Sequence, residues 1–155
     1  FNERVQKIEG QCKRFLDSAF GGQELRSAEG AFNLLQKFRK LRTREAINQA
    51  LERKFEDVLR QYQSELGRVR DLFEQSKARP PVAKNQPRVA GAIEWAGSLF
   101  MRLKTIVVRF HKNGLLDSSA TGAEIKEQYL RVARSIDDYC QGLFTSWCEE
   151  AVALA

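Results

Sequence analysis

The most regular pattern in this sequence runs from Glu45 to Ser76, where an apolar residue recurs at every third or fourth position. These residues are Ile47, Leu51, Phe55, Val58, Tyr62, Leu66, Val69 and Phe73. Because this spacing puts all of them on one face of an α-helix, it predicts one long helix over this range. Thr43 is a suitable N-cap residue, and Pro80 and Pro81 lie just beyond the predicted end.

The N-terminal part of the chain predicts two shorter helices. The first extends from about Asn2 to Phe20 and is followed by a break at Gly21 and Gly22. The second extends from about Ala28 to Leu41. Apolar residues recur at helical spacing in both segments, with basic and polar residues between them.

The segment from Lys77 to Pro87 contains all three prolines of the chain and separates the third helix from the fourth. Proline fixes φ and has no amide donor, so we expect an extended internal linker here. The fourth helix is predicted from about Val89 to Phe110, and its apolar residues cover more of the helix circumference than a single stripe would. Such a helix is typically buried between neighbours, and we predict that it is the central helix.

The fifth helix is predicted to start near Thr121, because Thr121 and Glu124 have the spacing of a capping box. Its apolar residues also form one line: Ile125, Tyr129, Val132, Ile136, Cys140, Leu143, Trp147 and Ala151. In this helix and the third, the mean spacing is about 3.7 residues, which favours nearly straight helices over a heptad coiled coil. No segment alternates like a strand. The predicted class is therefore all-α, an elongated bundle of about five helices, two of them long.

At 155 residues, the chain is long enough for one domain with a sizeable core. Phe1 falls inside a helical pattern, and the last helix reaches Ala155 without a glycine or proline to end it. We therefore expect residues 1–155 to be one segment of a helical domain in a larger chain. No apolar run approaches the roughly 20 residues of a membrane span, so we expect no membrane partner.

Few residues could carry catalysis or bind a metal. Cys12, Cys140 and Cys148 have no C-x-x-C spacing, and His111 is the only histidine. We therefore expect mostly buried core thiols in the reducing cytosol or an internal compartment, with neither a disulfide framework nor a zinc site. No phosphate-loop or metalloprotease motif occurs. His111 precedes Lys112 at a helix end, where solvation or helix capping is the expected role. The sequence thus predicts no catalytic, cofactor-binding or metal-binding residue.

Charge is unevenly distributed along the chain, whose net charge is +6. Residues 31–44 carry five basic side chains and no acidic one, whereas residues 116–155 carry three basic and seven acidic ones. The candidate basic interaction face consists of Lys37, Arg39, Lys40, Arg42 and Arg44. A nucleic-acid-binding module could explain this face. However, no nucleic-acid motif is present and the acidic end would repel phosphate. An acidic protein neighbour, or pairing between helices inside the bundle, therefore requires fewer assumptions.

The segment from Pro80 to Lys104, PPVAKNQPRVAGAIEWAGSLFMRLK, resembles the first N-terminal region of dynein heavy chains. In that family a proline-bearing linker leads into a helix that opens with V-A-G-A-I-x-W-A. The matching residues here are Pro80, Pro81, Val89, Ala90, Gly91, Ala92, Ile93, Trp95 and Leu99. Arg88 departs from the family pattern, which usually has a proline there. We expect a packing joint in which Gly91 and Ala92 let the linker or another helix approach closely.

The resemblance implies a fold and a set of partners. It implies one segment of a stack of helical bundles in the tail of an axonemal heavy chain, of the outer arm rather than the inner arm. Its partners would be other dynein heavy chains, WD-repeat intermediate chains, light chains and a docking complex, within a large hetero-oligomer in the cytoplasm and the axonemal cytoskeleton. ATP and Mg are expected only in the motor domain of the parent chain, so this segment would have no cofactor and no enzymatic activity.

Two other interpretations are left open by the residues themselves. One is an unrelated helical adaptor or tether domain, and the other is a basic nucleic-acid-binding domain. Binding to phosphate weakens steeply with salt, so a measurement of duplex binding at physiological ionic strength distinguishes the nucleic-acid-binding domain from the other interpretations. The proteins that co-purify with the intact parent chain distinguish an unrelated adaptor from a dynein tail segment.

Overall fold

The computed structural model describes residues 2–21, 28–38 and 45–154, except for the side chains at positions 16, 19, 20, 34, 37, 38 and 45–47. In these ranges the regular elements are five helices: α1 (Asn2–Gly21), α2 (Ala28–Phe38), α3 (Glu45–Ser76), α4 (Arg88–Lys112) and α5 (Ala120–Ala153). None of the described residues forms a strand, and the predicted all-α class is confirmed.

The predicted helix boundaries agree closely with the structure wherever it describes the chain. The bounds of α3 are those predicted, and α4 extends the prediction by one residue at its start and two at its end. The predicted end of the second helix at Leu41 and the predicted N-cap at Thr43 lie outside the described residues.

The helices group into two compact units, Phe1–Tyr62 and Gln63–Ala155, and the boundary falls within α3. In the first unit, α2 and α3 form the core, where the rings of Phe32 and Phe55 meet edge-on with centroids 6.3 Å apart. An ion pair of 3.3 Å between Lys54 and Asp17 joins α3 to α1.

The second unit contains the C-terminal part of α3, the linker, α4 and α5. The face of α3 predicted from the sequence is buried here at Leu66, Val69 and Phe73. On α4 the buried residues are Gly91, Ala92, Ala96, Leu99, Leu103, Ile106, Val107 and Phe110. The ring of Phe100 stacks on Tyr129 of α5 with centroids 6.3 Å apart. Helix α4 thus contacts both neighbouring helices of this unit.

Helix α4 ends in a hydrogen-bonded turn that explains its sharp stop. The amide of Gly114 donates to the carbonyl of His111, and the amide of Leu115 donates to the carbonyl of Phe110, each at 3.0 Å. These two bonds are those of a Schellman motif. Gly114 has φ of 69°, in the left-handed region that glycine occupies without a steric penalty.

The predicted capping residue of α5 was wrong by two positions. Ser119, rather than Thr121, is the N-cap residue, and its hydroxyl accepts a hydrogen bond of 3.1 Å from the amide of Gly122. Thr121 lies inside the first turn. Ser119 and Thr121 are both suitable caps by residue type, so the loop geometry decided between them.

The predicted apolar line of α5 is buried only along its first half. Ile125, Val132 and Ile136 are buried, whereas Trp147 and Ala151 are exposed. The expectation of buried thiols was also too strong, because Cys12, Cys140 and Cys148 are all half-buried. A helical spacing of apolar residues establishes a face, but burial of that face needs a neighbour along its whole length.

Candidate functional site

Three aromatic side chains, one from each helix of the second unit, meet in a cluster. Phe73 of α3 stacks on Trp95 of α4 with centroids 6.0 Å apart and an interplanar angle of 21°. Tyr139 of α5 meets both rings edge-on, at 5.4 Å from Phe73 and 6.4 Å from Trp95. Stacked and edge-to-face pairs at these distances are attractive beyond the area they bury. We call these three residues the aromatic joint.

Tyr139 also fixes the start of the linker. Its hydroxyl donates a hydrogen bond of 2.9 Å to the main-chain carbonyl of Lys77. Burial raises the pKa of Tyr139 above its ordinary value, with a smaller contribution from Cys140 beside it. The phenol is therefore protonated at neutral pH and able to donate.

The linker lies directly against the start of α4. A Cβ atom at Gly91 would overlap Cγ1 of Val82 and lie 3.2 Å from Oε1 of Gln86. The side-chain amide of Gln86 donates to the carboxylate of Glu94, one helical turn further along α4. The absence of a side chain at Gly91 thus gives the linker the space that Val82 occupies.

The residues that carry the resemblance to dynein heavy chains occupy different environments in the structure. Gly91, Ala92 and Leu99 are buried. Pro80, Val89, Ile93 and Trp95 are half-buried, and Pro81 and Ala90 are exposed. Their shared role as a packing joint stays a prediction, for which the contacts of Gly91 and Trp95 supply a physical basis.

A groove of about 780 Å³ lies between the linker and the C-terminal half of α5. Its apolar lining comes from Pro80, Val82, Val89, Ala92 and Leu143. Its charged lining consists of the basic residues Lys77, Arg79, Lys84 and Arg88 and the acidic residue Glu150. We call this the linker groove. Tyr139 also lines it, so the groove and the aromatic joint share a residue.

Sequence reasoning did not find the linker groove. The basic charge of residues 77–87 was visible in the sequence, but its proximity to α5 was not. The basic face that was predicted instead lies largely outside the described residues, since Arg39, Lys40, Arg42 and Arg44 are not described and Lys37 is described only as a position in α2. That face stays a prediction.

Within residues 2–21, 28–38 and 45–154, no three His, Cys, Asp or Glu side chains are grouped as a metal would require. His111 is exposed in the last turn of α4. No helix in the described part of the chain is both long enough and apolar enough to cross a membrane.

The fold and the aromatic joint define an all-α protein of the helical-bundle class, in which aromatic rings couple neighbouring helices. The chain belongs to the family described as dynein heavy chain, N-terminal region 1, whose model matches residues 1–155. The resemblance seen around Trp95 is thereby confirmed over the whole sequence.

Individual relatives are heavy chains of axonemal dyneins. Dynein axonemal heavy chain 8 of Mus musculus is 31% identical over 154 residues, which cover 99% of this chain. The gamma chain of the flagellar outer arm of Chlamydomonas reinhardtii is 32% identical over 139 residues, or 90% of this chain. The dynein-1-alpha heavy chain of the flagellar inner arm I1 complex of the same organism is 34% identical over 152 residues, or 97% of this chain.

This chain spans about 3% of the length of each of these relatives. Because both outer-arm and inner-arm heavy chains are among them, the predicted outer-arm origin stays a prediction. The family match removes the alternative of a helical adaptor unrelated to dyneins.

Proposed function

We propose that this chain is a non-catalytic, load-bearing segment of the tail of an axonemal dynein heavy chain. It holds heavy chains together and provides surfaces for WD-repeat intermediate chains, light chains and a docking complex in the axoneme of a cilium or flagellum. The observation that carries the proposal is the match of the N-terminal region family to residues 1–155. ATP hydrolysis and its Mg belong to the motor domain of the parent chain in this proposal, and the segment needs no cofactor.

The aromatic joint supports a mechanical role. Phe73, Trp95 and Tyr139 couple three helices at one level, and the hydrogen bond from Tyr139 to Lys77 ties the linker to α5 at the same level. A force applied along one helix is then shared with the other two through close-packed contacts, which deform little. Stiff joints of this kind suit a tail that transmits force.

The proposal is tested in the full parent heavy chain with the substitution Trp95→Ala. We expect the variant to recover less intermediate chain and less of its partner heavy chains on affinity purification, while ATP turnover per heavy chain stays unchanged. The matched control is Met101→Ala, also on α4, because the side chain of Met101 is 54% exposed. Full recovery of partners from a Trp95→Ala chain whose tail has become protease-sensitive contradicts the scaffold role.

The nucleic-acid alternative is tested separately with a labelled DNA duplex. A phosphate-binding site should bind the duplex at physiological salt and lose affinity steeply as salt rises. We expect no measurable binding of the 155-residue chain at physiological salt. Sub-micromolar binding would contradict the scaffold proposal.

A further inference from the structure

We infer that the linker groove binds an acidic amphipathic helix supplied by another polypeptide. This inference rests on the proposed scaffold function and deepens it, because it assigns one partner-binding surface and the chemistry of its partner. The argument uses the shape of the groove, the apolar residues that continue it along α5, and the sign of its charge.

The linker, α4 and α5 each contribute apolar residues to the groove. Val89 and Ala92 of α4 and Leu143 of α5 line it, with Val82 on the linker side. Trp147 follows Leu143 by four positions and precedes Glu150 by three, so it lies on the same face of α5 as these two groove residues.

The apolar surface continues into exposed aromatic residues. Trp147 is 51% exposed and Phe144 is 56% exposed, and their ring centroids lie 6.2 Å apart. An exposed pair of large aromatic rings beside an apolar groove is a typical anchor for the apolar face of a helix.

The charge of the groove selects the polar side of its partner. Arg79, Lys84 and Arg88 are exposed, and none of these three side chains pairs with an acidic group among the described residues. Lys77 is partly neutralised by Glu74 at 2.6 Å. Four basic residues and one acidic residue thus line the groove, so acidic side chains flanking an apolar face complement it.

The start of α4 adds to this positive potential. Its N-cap residue, Pro87, has no side chain that could accept a capping hydrogen bond, and the first turn of α4 contains no acidic residue. The partial positive charge at the helix N-terminus is therefore not offset within the helix itself. Val89, in this first turn, lines the groove, so a carboxylate bound there would also be favoured by the helix dipole.

The same features argue against two other occupants. A second copy of this chain related by two-fold symmetry would place the same basic residues opposite one another, at an electrostatic cost. A nucleic acid would place phosphates against Leu143 and Glu150 as well as against the basic residues. An acidic amphipathic helix meets both the apolar and the charged part of the surface.

The experiment uses the full parent heavy chain and a labelled synthetic helix of about 18 residues, with leucines on one face and glutamates beside them. A second peptide has lysines in place of the glutamates. We expect fluorescence anisotropy to show that the acidic peptide binds and that its binding weakens as the salt concentration increases. We expect the basic peptide to bind at least about tenfold more weakly.

Variants of the heavy chain locate the site. The variant R79E/K84E/R88E reverses the unpaired charges. It should bind the acidic peptide about tenfold or more weakly than the wild type and bind the basic peptide more tightly. The substitution Trp147→Ala should weaken the binding of both peptides. The control is a charge reversal further along α4, R102E/K104E, which removes basic residues that do not line the groove and should leave binding unchanged.

Several results would overturn the inference. Equal binding of the two peptides, or acidic-peptide binding that survives both groove variants, excludes this site. Binding to the 155-residue chain but not to the full heavy chain means that another segment of the heavy chain covers the groove. Concentration-dependent dimerisation abolished by Trp147→Ala means that a second copy covers it.

The scaffold function and the groove can fail separately. If the wild-type heavy chain does not bind the acidic peptide but still recovers intermediate and light chains, the groove inference is wrong and the scaffold proposal stands. If the peptide binds as expected but a Trp95→Ala chain with a protease-sensitive tail recovers all partners, the groove stands and the scaffold proposal is wrong.

Discussion

The hydroxyl of Tyr139 donates a hydrogen bond of 2.9 Å to the main-chain carbonyl of Lys77, a residue 62 positions earlier in the chain. This bond connects α5 to the first residue after α3. It brings the beginning of the linker to the aromatic joint, and Lys77 and Tyr139 both line the linker groove. The geometry of the groove therefore depends on a contact between two distant parts of the sequence.

Removal of that hydroxyl should loosen the linker. We expect Tyr139→Phe to destabilise the second unit by about 0.5–1.5 kcal/mol, since the ring contacts survive and only the hydrogen bond is lost. Tyr129→Phe is the matched control, because Tyr129 stacks on Phe100 and its hydroxyl has no hydrogen-bond partner among the described residues. Urea denaturation measures both changes. An equal loss in the two variants would show that the bond to Lys77 contributes nothing specific.

The same bond predicts a pH dependence. Burial, with a smaller contribution from Cys140, raises the pKa of Tyr139 above its ordinary value of 10.0. Because the folded state then holds the phenolic proton more tightly, the contribution of Tyr139 to stability is complete below pH 10.0 and is lost as the pH rises through the raised pKa. The difference in unfolding free energy between wild type and Tyr139→Phe should accordingly be constant at neutral pH and shrink in strong alkali. A difference that grew with pH would refute this sign.

The two tryptophans should separate packing from docking. Trp95 stacks on Phe73 inside the aromatic joint, so we expect Trp95→Ala to cost about 2–3 kcal/mol of unfolding free energy. Trp147 is 51% exposed, and we expect Trp147→Ala to change stability by no more than about 0.5 kcal/mol. Thermal and urea denaturation of the 155-residue chain compare the two. Unchanged stability of Trp95→Ala refutes its role in the packing joint.

Gly91 and Gly97 lie on the same helix and should respond oppositely to alanine. A Cβ atom at Gly91 overlaps Val82, so we expect Gly91→Ala to destabilise by about 1–3 kcal/mol. A Cβ atom at Gly97 meets nothing within 4 Å, so Gly97→Ala should be neutral or stabilise by up to about 1 kcal/mol. The double variant Val82→Ala/Gly91→Ala should recover part of the loss, because the overlapping methyl groups are then removed. A Gly91→Ala chain as stable as Gly97→Ala would mean that the linker does not pack closely on α4.

The sequence by itself determined the helices of this protein. The bounds of α3 follow from the unbroken recurrence of apolar residues between Glu45 and Ser76. The V-A-G-A-I-x-W-A run around Trp95 was enough to indicate the family that the comparison over residues 1–155 confirmed. These features are local, or depend on residue types in a fixed order, and need no knowledge of neighbours in space.

Only the tertiary structure decided which faces are covered and which residues meet. The apolar line of α5 has the same spacing on both sides of Leu143, yet Ile125, Val132 and Ile136 before it are buried and Trp147 after it is exposed. The contact between Tyr139 and Lys77 likewise joins two residues that are 62 positions apart, and no periodicity in the sequence predicts that they meet. Periodicity orients side chains around one helix axis, but burial and the linker groove depend on how close a second segment of the chain approaches, which no single helix encodes.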